Sequence, residues 1–445
     1  MSPRRFRRVR RASSLVVAGA VATLLATATP AAAHDVGSGS MPAPPWLLGY
    51  LAAFAVLAAA FALRATWTAA RLLPVATDEA PAAPPRVGPG NVLGMVLYGL
   101  VLAAAVVGPD SPASNIAPDA VLVVWWVGIP MLSLLVGDAM RPINPFVGVV
   151  GLLRPARDDG EEKPRVDAPP WLPAAFLAGF GWFFVAYHGP GSPRAVAVLL
   201  VVYAAAAVGL GLRWGPRWLA RGEGFGALAA AVSILSPLRR GTPPPGTAAV
   251  VVVWLGSIVF DGFASTELWQ DVVAGRRGWE LTAFSTAGLV WITALVAGAY
   301  LAAVWAAERP AGSREEAPDP RAGDGDRSLR TALGVALVPV AVAWFVGHDL
   351  TLLLFEGQNF LALLSDPIAR GWELVPPIEP DYALVKAGWV PWVQVGAVVA
   401  GPLIAVVVAH DVVRGRPPRQ AVRVTWGVAG AAAVSAVASA LLVLG

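Results

Sequence analysis

The chain has no cysteine among its 445 residues. That absence excludes disulfides, cysteine-ligated zinc, iron–sulfur clusters and CxxCH haem attachment. Lysine is almost missing as well: Lys163 and Lys386 stand against 31 arginines. Neither lysine follows a GxxxxG loop, so there is no phosphate-binding P-loop. There is no HExxH metalloprotease helix and no GxSxG nucleophile elbow. Charge itself is scarce, at 14% of residues. Soluble domains carry about 25%, so this chain has too little polar surface to face water on every side.

What fills the sequence is apolar, 56% of it. The apolar residues fall in blocks of about 18–25, the length that crosses ~30 Å of hydrocarbon. The expected fold is therefore an all-α polytopic transmembrane bundle whose main partner is the lipid bilayer. The net charge of +4 does not indicate nucleic acid. Its arginines lie in short loops between apolar blocks, where membrane topology puts them.

The first 33 residues have the parts of a secretory signal peptide. Six arginines between Arg4 and Arg11 form the positive region, Ser14 to Thr27 the apolar region, and Ala31-Ala32-Ala33 the small-residue cleavage site. An uncleaved anchor is the alternative. Residues 34–445 then form a single transmembrane domain of about ten spans. They are expected near 46–64, 91–108, 120–138, 171–188, 195–212, 247–262, 281–306, 331–356, 389–410 and 424–444. The apolar stretch 225–237 is too short to cross and reads as interfacial or re-entrant. Pro-, Gly- and charge-rich segments 74–90, 155–170 and 308–330 read as connectors.

Orientation follows from counting. With residue 34 outside, the inner loops hold 22 arginines and lysines and the outer loops 5. This split favours a bacterial plasma-membrane protein with its mature N-terminus and its C-terminus both outside. Trp46, Trp171, Trp279, Trp305 and Trp389 fall near expected interfaces. Trp125, Trp126, Trp182, Trp254, Trp291 and Trp344 fall deeper, as packing. Gly211 with Gly215, and Gly427 with Ala431, have the four-residue spacing that lets helices approach closely.

Polar groups inside apolar blocks are the candidates for chemistry, because a charge at mid-bilayer costs at least ~2.5–3.5 kcal/mol. The densest group is His348-Asp349 through Glu356-Gly357-Gln358-Asn359, with Pro339 and Gly347 as kink points. Asp349 and Glu356, seven apart, share a helix face, and His348 and Asn359 share a neighbouring one. Asp261 at the end of span six and Gln394 in span nine are placed to join them. His348, Glu356, Asp261 and Asp349 are the candidate catalytic residues. The other reading is that they pair and fix helix packing. With no cysteine, any metal needs His, carboxylate or backbone ligands. His348 and Glu356 are candidates for a single divalent ion, and His34, as a mature N-terminal residue, is a candidate for Cu(II). His410-Asp411 reads as an interface pair. Asp138, three residues before Arg141, and the turn Asn144-Pro145 read as structural anchors.

Several segments together resemble a known family. They are Ala33-His34-Asp35, Val124-Trp125-Trp126-Val127-Gly128-Ile129-Pro130, Phe260-Asp261-Gly262-Phe263 and Val346-Gly347-His348-Asp349 through Leu354-Phe355-Glu356-Gly357-Gln358. Gly137-Asp138, Asn144-Pro145, Ser365-Asp366-Pro367, Gly371-Trp372, Val393-Gln394-Val395 and Ala409-His410-Asp411 complete the set. In order and spacing they resemble actinobacterial multi-pass proteins that carry the name fenitrothion hydrolase, over most of the mature chain. The resemblance implies hydrolysis of an organophosphate triester; the polar residues of spans six and eight, read as facing outward, are where such a site is expected. It carries no assigned catalytic residues. Members often have an aromatic where this chain has Asp349. Two other classes fit the same residues: a transporter or metal-handling permease taking a small molecule or ion, and a membrane assembly protein without chemistry.

Overall fold

A computed structural model describes residues 43–67, 87–153, 168–238, 244, 246–308, 325–376, 378–381, 389–413 and 418–443. The signal segment, His34 and most of the expected connectors lie outside these. Among the described residues the regular structure is helical, with no strand. The helices are α1 (Pro45–Thr66), α2 (Pro89–Val107), α3 (Ile116–Val136), α4 (Met140–Ile143), α5 (Pro145–Leu153) and α6 (Leu172–Val185). They continue with α7 (Pro193–Trp214), α8 (Pro216–Gly222), α9 (Gly224–Val232), α10 (Thr247–Ala264) and α11 (Glu267–Val273). The last four are α12 (Gly278–Glu308), α13 (Gly325–Leu363), α14 (Trp389–Val412) and α15 (Pro418–Val443).

Nine of these helices among the described residues are long and apolar enough to cross a bilayer. Each falls on an expected span. The expected span near 171–188 is the exception. It is α6, only 14 residues, which at ~1.5 Å per residue rises ~21 Å and falls short of ~30 Å. The stretch expected to be too short to cross is α9 and the 3₁₀ turn Ser233–Leu235, buried along almost all of its length. At 39 residues α13 rises ~58 Å, with Pro339 inside it. Large apolar side chains such as Phe54, Phe61, Leu100 and Val202 stand exposed on the long helices, as they do where lipid takes the place of water.

Helix α3 changes winding. Residues Ala120–Gly128 are π-helical, and the Ile129 N–H bonds to the Val124 carbonyl five residues back. Pro130 follows directly and has no N–H for the usual i→i−4 bond, so the turns before it widen.

The described residues gather into two compact units. One holds the described parts of Met1–Val75, Leu301–Gly347 and Val385–Gly445. In it α1 packs on α14 and α15 through Val56, Ala60, Val406, Ala429 and Ala432. The other holds the described parts of Ala76–Tyr300 and His348–Leu384. Its core is aromatic: Trp126 stacks on Phe180, and Phe225 meets Phe180, Trp126 and Tyr203.

Close helix approach is found at a different pair from those the sequence suggests. A Cβ on Gly90 or Gly94 would lie 2.4 Å from the Pro142 carbonyl oxygen or 1.8 Å from that of Ile143. These glycines, four apart on α2, are what let it lie against the α4–α5 turn. Gly211 does meet Val150 and Leu219 closely, but Gly427 has open space around it. Gly215 ends α7 with φ +90° and belongs to a turn. Trp126, Trp254 and Trp344 are buried as expected, whereas Trp291 is 56% exposed on α12.

Candidate functional site

Helix α10 carries Asp261 in its last turn, and α13 carries His348 near its middle. Both segments are apolar because they cross lipid, so each polar side chain needs a partner from another helix. They find each other. His348 Nε2 lies 3.1 Å from Asp261 Oδ2, with the side chains 25% and 30% exposed. A carboxylate on one ring nitrogen fixes the ring's orientation and tautomer and leaves Nδ1 as the second proton-exchanging atom. Residues 87 apart in sequence thereby form one acid–base unit.

Asp349 is the next residue on α13 and is only 2% exposed. Its Oδ2 is buried and has no hydrogen-bond partner. Asp261 and His348 both act on it electrostatically. Gln394 donates from Nε2 to the Gly347 carbonyl at 3.0 Å. It therefore steadies the backbone one residue before His348.

Glu356 belongs elsewhere. It accepts a hydrogen bond from Asn359 Nδ2 at 2.6 Å and lines a cavity of about 400 Å³ with Asp119, Asn359, Pro112 and Leu363. Asp119 comes from the first turn of α3, just before the π-helical turns, and repels Glu356 across that space. The sequence reading did not single out Asp119. An acidic residue directly after Pro118 resembles a cap, and only the fold sets it opposite Glu356.

The single-metal expectation at His348 and Glu356 does not fit this geometry. Eight residues apart on one helix, they are separated by ~12 Å of rise. Among the described residues no three His, Asp or Glu side chains gather as metal ligands. His34, the proposed copper ligand, lies outside the described residues.

The remaining histidines sit in defined places. His188 Nδ1 is 2.9 Å from Thr282 Oγ1, and its ring meets Trp279 edge-on. His410 and Asp411, read as an interface pair, are in fact buried. His410 Nδ1 lies 3.2 Å from Thr425 Oγ1, and Asp411 Oδ1 accepts from Trp67 Nε1 at 3.1 Å. The pair ties α14 to α15 and to the end of α1. Asp138 Oδ1 accepts from the Arg141 backbone N–H at 3.2 Å, a turn contact to the main chain where the spacing suggests a pairing of the side chains.

A second buried polar centre was not foreseen. Glu223 precedes α9 and is fully buried. Oε1 accepts from Asn144 Nδ2 at 3.0 Å and from the Gly226 N–H. Oε2 accepts from the Phe225 N–H at 2.9 Å and from the Tyr203 hydroxyl. Asn144 in turn receives Asn91 Nδ2 on its carbonyl at 3.1 Å. Burial pushes the Glu223 carboxyl up to about 7 although all four donors favour the ionised form. Every acceptor and donor here is used internally, so this centre joins α2, α5, α7 and α9 and leaves no atom for a ligand.

Set against family models, curated proteins and solved structures, the chain matched none.

Proposed function

We propose that this chain is a multi-pass permease of the bacterial plasma membrane that couples solute movement to proton exchange at Asp261 and His348. The observation that carries this is the hydrogen bond between an imidazole and a carboxylate from two different apolar helices. Intramembrane His and Asp groups are costly, and they mark proton and ion paths in membrane proteins. When His348 is protonated the two side chains form an ion pair. When it is neutral only a hydrogen bond remains. The attraction between α10 and α13 therefore changes with one proton, which is what a gate needs in order to have two states.

A second reading follows the resemblance to the fenitrothion hydrolase family. It is supported by the cavity of about 400 Å³ beside Glu356 and Asp119, within the ~300–1,000 Å³ range of small-molecule sites. Here a carboxylate would act as general base on water without a metal.

One preparation separates the two. Purified protein in liposomes with an entrapped pH dye is expected to carry protons when a pH gradient and candidate solutes are applied, and His348→Ala to stop the flux. Flux that persists in His348→Ala refutes the permease reading. Cleavage of a nitrophenyl phosphotriester by wild type, lost in Glu356→Gln, transfers the assignment to the hydrolase.

The arginine distribution supports placing both termini outside. Because the chain has no cysteine, single-cysteine variants have a clean background. In intact spheroplasts a membrane-impermeant maleimide is expected to label Glu373→Cys and to spare Leu238→Cys. Labelling of the second alone inverts the orientation.

A further inference from the structure

The polar centre at α13 contains two carboxyl groups and one imidazole, and they are not equivalent. Asp261 has His348. Asp349 is 2% exposed and its buried Oδ2 has no partner. Among the described residues the charged groups that act on it are Asp261, which repels an ionised Asp349, and His348, which is already bonded to Asp261. No arginine or lysine is among them. An ionised carboxylate buried to this extent with no cation of its own is so unfavourable that such a group takes up a proton instead. A neutral carboxylic acid, by contrast, is a modest burden with one O–H to place.

Resting on the proton-exchange reading, we propose that Asp349 is the residue that stores the exchanged proton, and that the conformation described is the proton-loaded one. In the release step a water molecule reaches the buried oxygen. The O–H bond of the Asp349 carboxyl breaks and an O–H bond forms on that water, giving a carboxylate and hydronium. His348 Nδ1, oriented by Asp261, takes the proton from that hydronium, which returns to water. The carboxylate left behind needs hydration, so release drives the segment around Asp349 to open. The Asp261–His348 pair conducts, and Asp349 loads.

Infrared difference spectroscopy of the full-length protein in lipid nanodiscs tests this. Wild type at neutral pH is expected to show the carbonyl band of a protonated buried carboxylic acid. Asp349→Asn is expected to remove that band while the protein folds normally, since asparagine replaces a neutral group of the same shape. Asp261→Asn is expected to keep it. Glu223, whose buried carboxyl holds its proton to about 7, contributes a carbonyl band to both proteins, so a wild-type-minus-Asp349→Asn difference spectrum without a carbonyl band overturns the assignment. So does an Asp349→Asn chain that fails to fold while Asp349→Glu folds, because only an obligatory charge would separate them. The two proposals fail differently. A band assigned to Asp349 without proton flux in wild-type liposomes leaves a protonated Asp349 but overturns the permease and the storage role built on it. Flux that depends on His348, without the band, keeps the permease and removes the storage role.

Discussion

Glu223→Ala is expected to destabilise the protein by about 3–5 kcal/mol, the largest effect of any single substitution away from the His348 pair. The carboxylate takes four donors from three parts of the chain. Its removal leaves the Asn144 amide, the Tyr203 hydroxyl and two N–H groups at the start of α9 buried without acceptors. Water cannot replace it at this depth without opening the aromatic core around Phe225. Tryptophan fluorescence during denaturant unfolding in micelles reads the loss, because Trp125 and Trp126 both contact Phe225. Glu223→Gln is expected to cost less, since its oxygen keeps one pair of donors. The same site sets a pH dependence. The folded carboxyl holds its proton to about 7, whereas an unperturbed one releases near 4.5. Between those values the unfolded chain ionises first, so wild-type stability falls as pH rises, by about 3 kcal/mol for the full shift. In Glu223→Gln that slope disappears.

That centre shows where sequence reading stops. Glu223 stands between Arg221-Gly222 and Gly224-Phe225, in a context that reads as a charged loop. Nothing local says that Asn144 and Tyr203 will close on it from 79 and 20 residues away. The long helices were legible because lipid imposes a length and a composition on each one separately. Helix α6 was overestimated for a related reason. Its flanks, Pro169-Pro170-Trp171 and Tyr187-His188-Gly189, are apolar or aromatic and extend the hydrophobic block past the point where the helix ends. Gly90 and Gly94 were passed over in favour of Gly427, because four-residue spacing marks many helix faces and only packing shows which face has a neighbour. His348 and Asp261 were legible as chemistry, since each is an ionisable residue in an apolar run. Glu356 was grouped with them on helical spacing. It shares α13 with His348 but lines a cavity with Asp119 instead, because two turns of α13 are enough to change neighbours.

Asp261→Asn and His348→Gln are each expected to lower proton flux roughly 100-fold or more, the scale of a lost general acid–base group. The two substitutions act differently on the bond. Asp261→Asn keeps a hydrogen bond to the ring but removes the charge that stabilises imidazolium, so flux should fall most at low proton concentration. His348→Gln keeps a polar contact to Asp261 but has no titratable group to take up and release a proton, so its flux should be low at every pH. Because the residues act as one unit, the double variant is expected to be no slower than His348→Gln alone. Rates measured across a pH series in liposomes give all four corners of this cycle. A double variant whose loss equals the product of the single losses would mean that the residues work independently. The 3.1 Å contact would then hold α10 to α13 without taking part in proton movement.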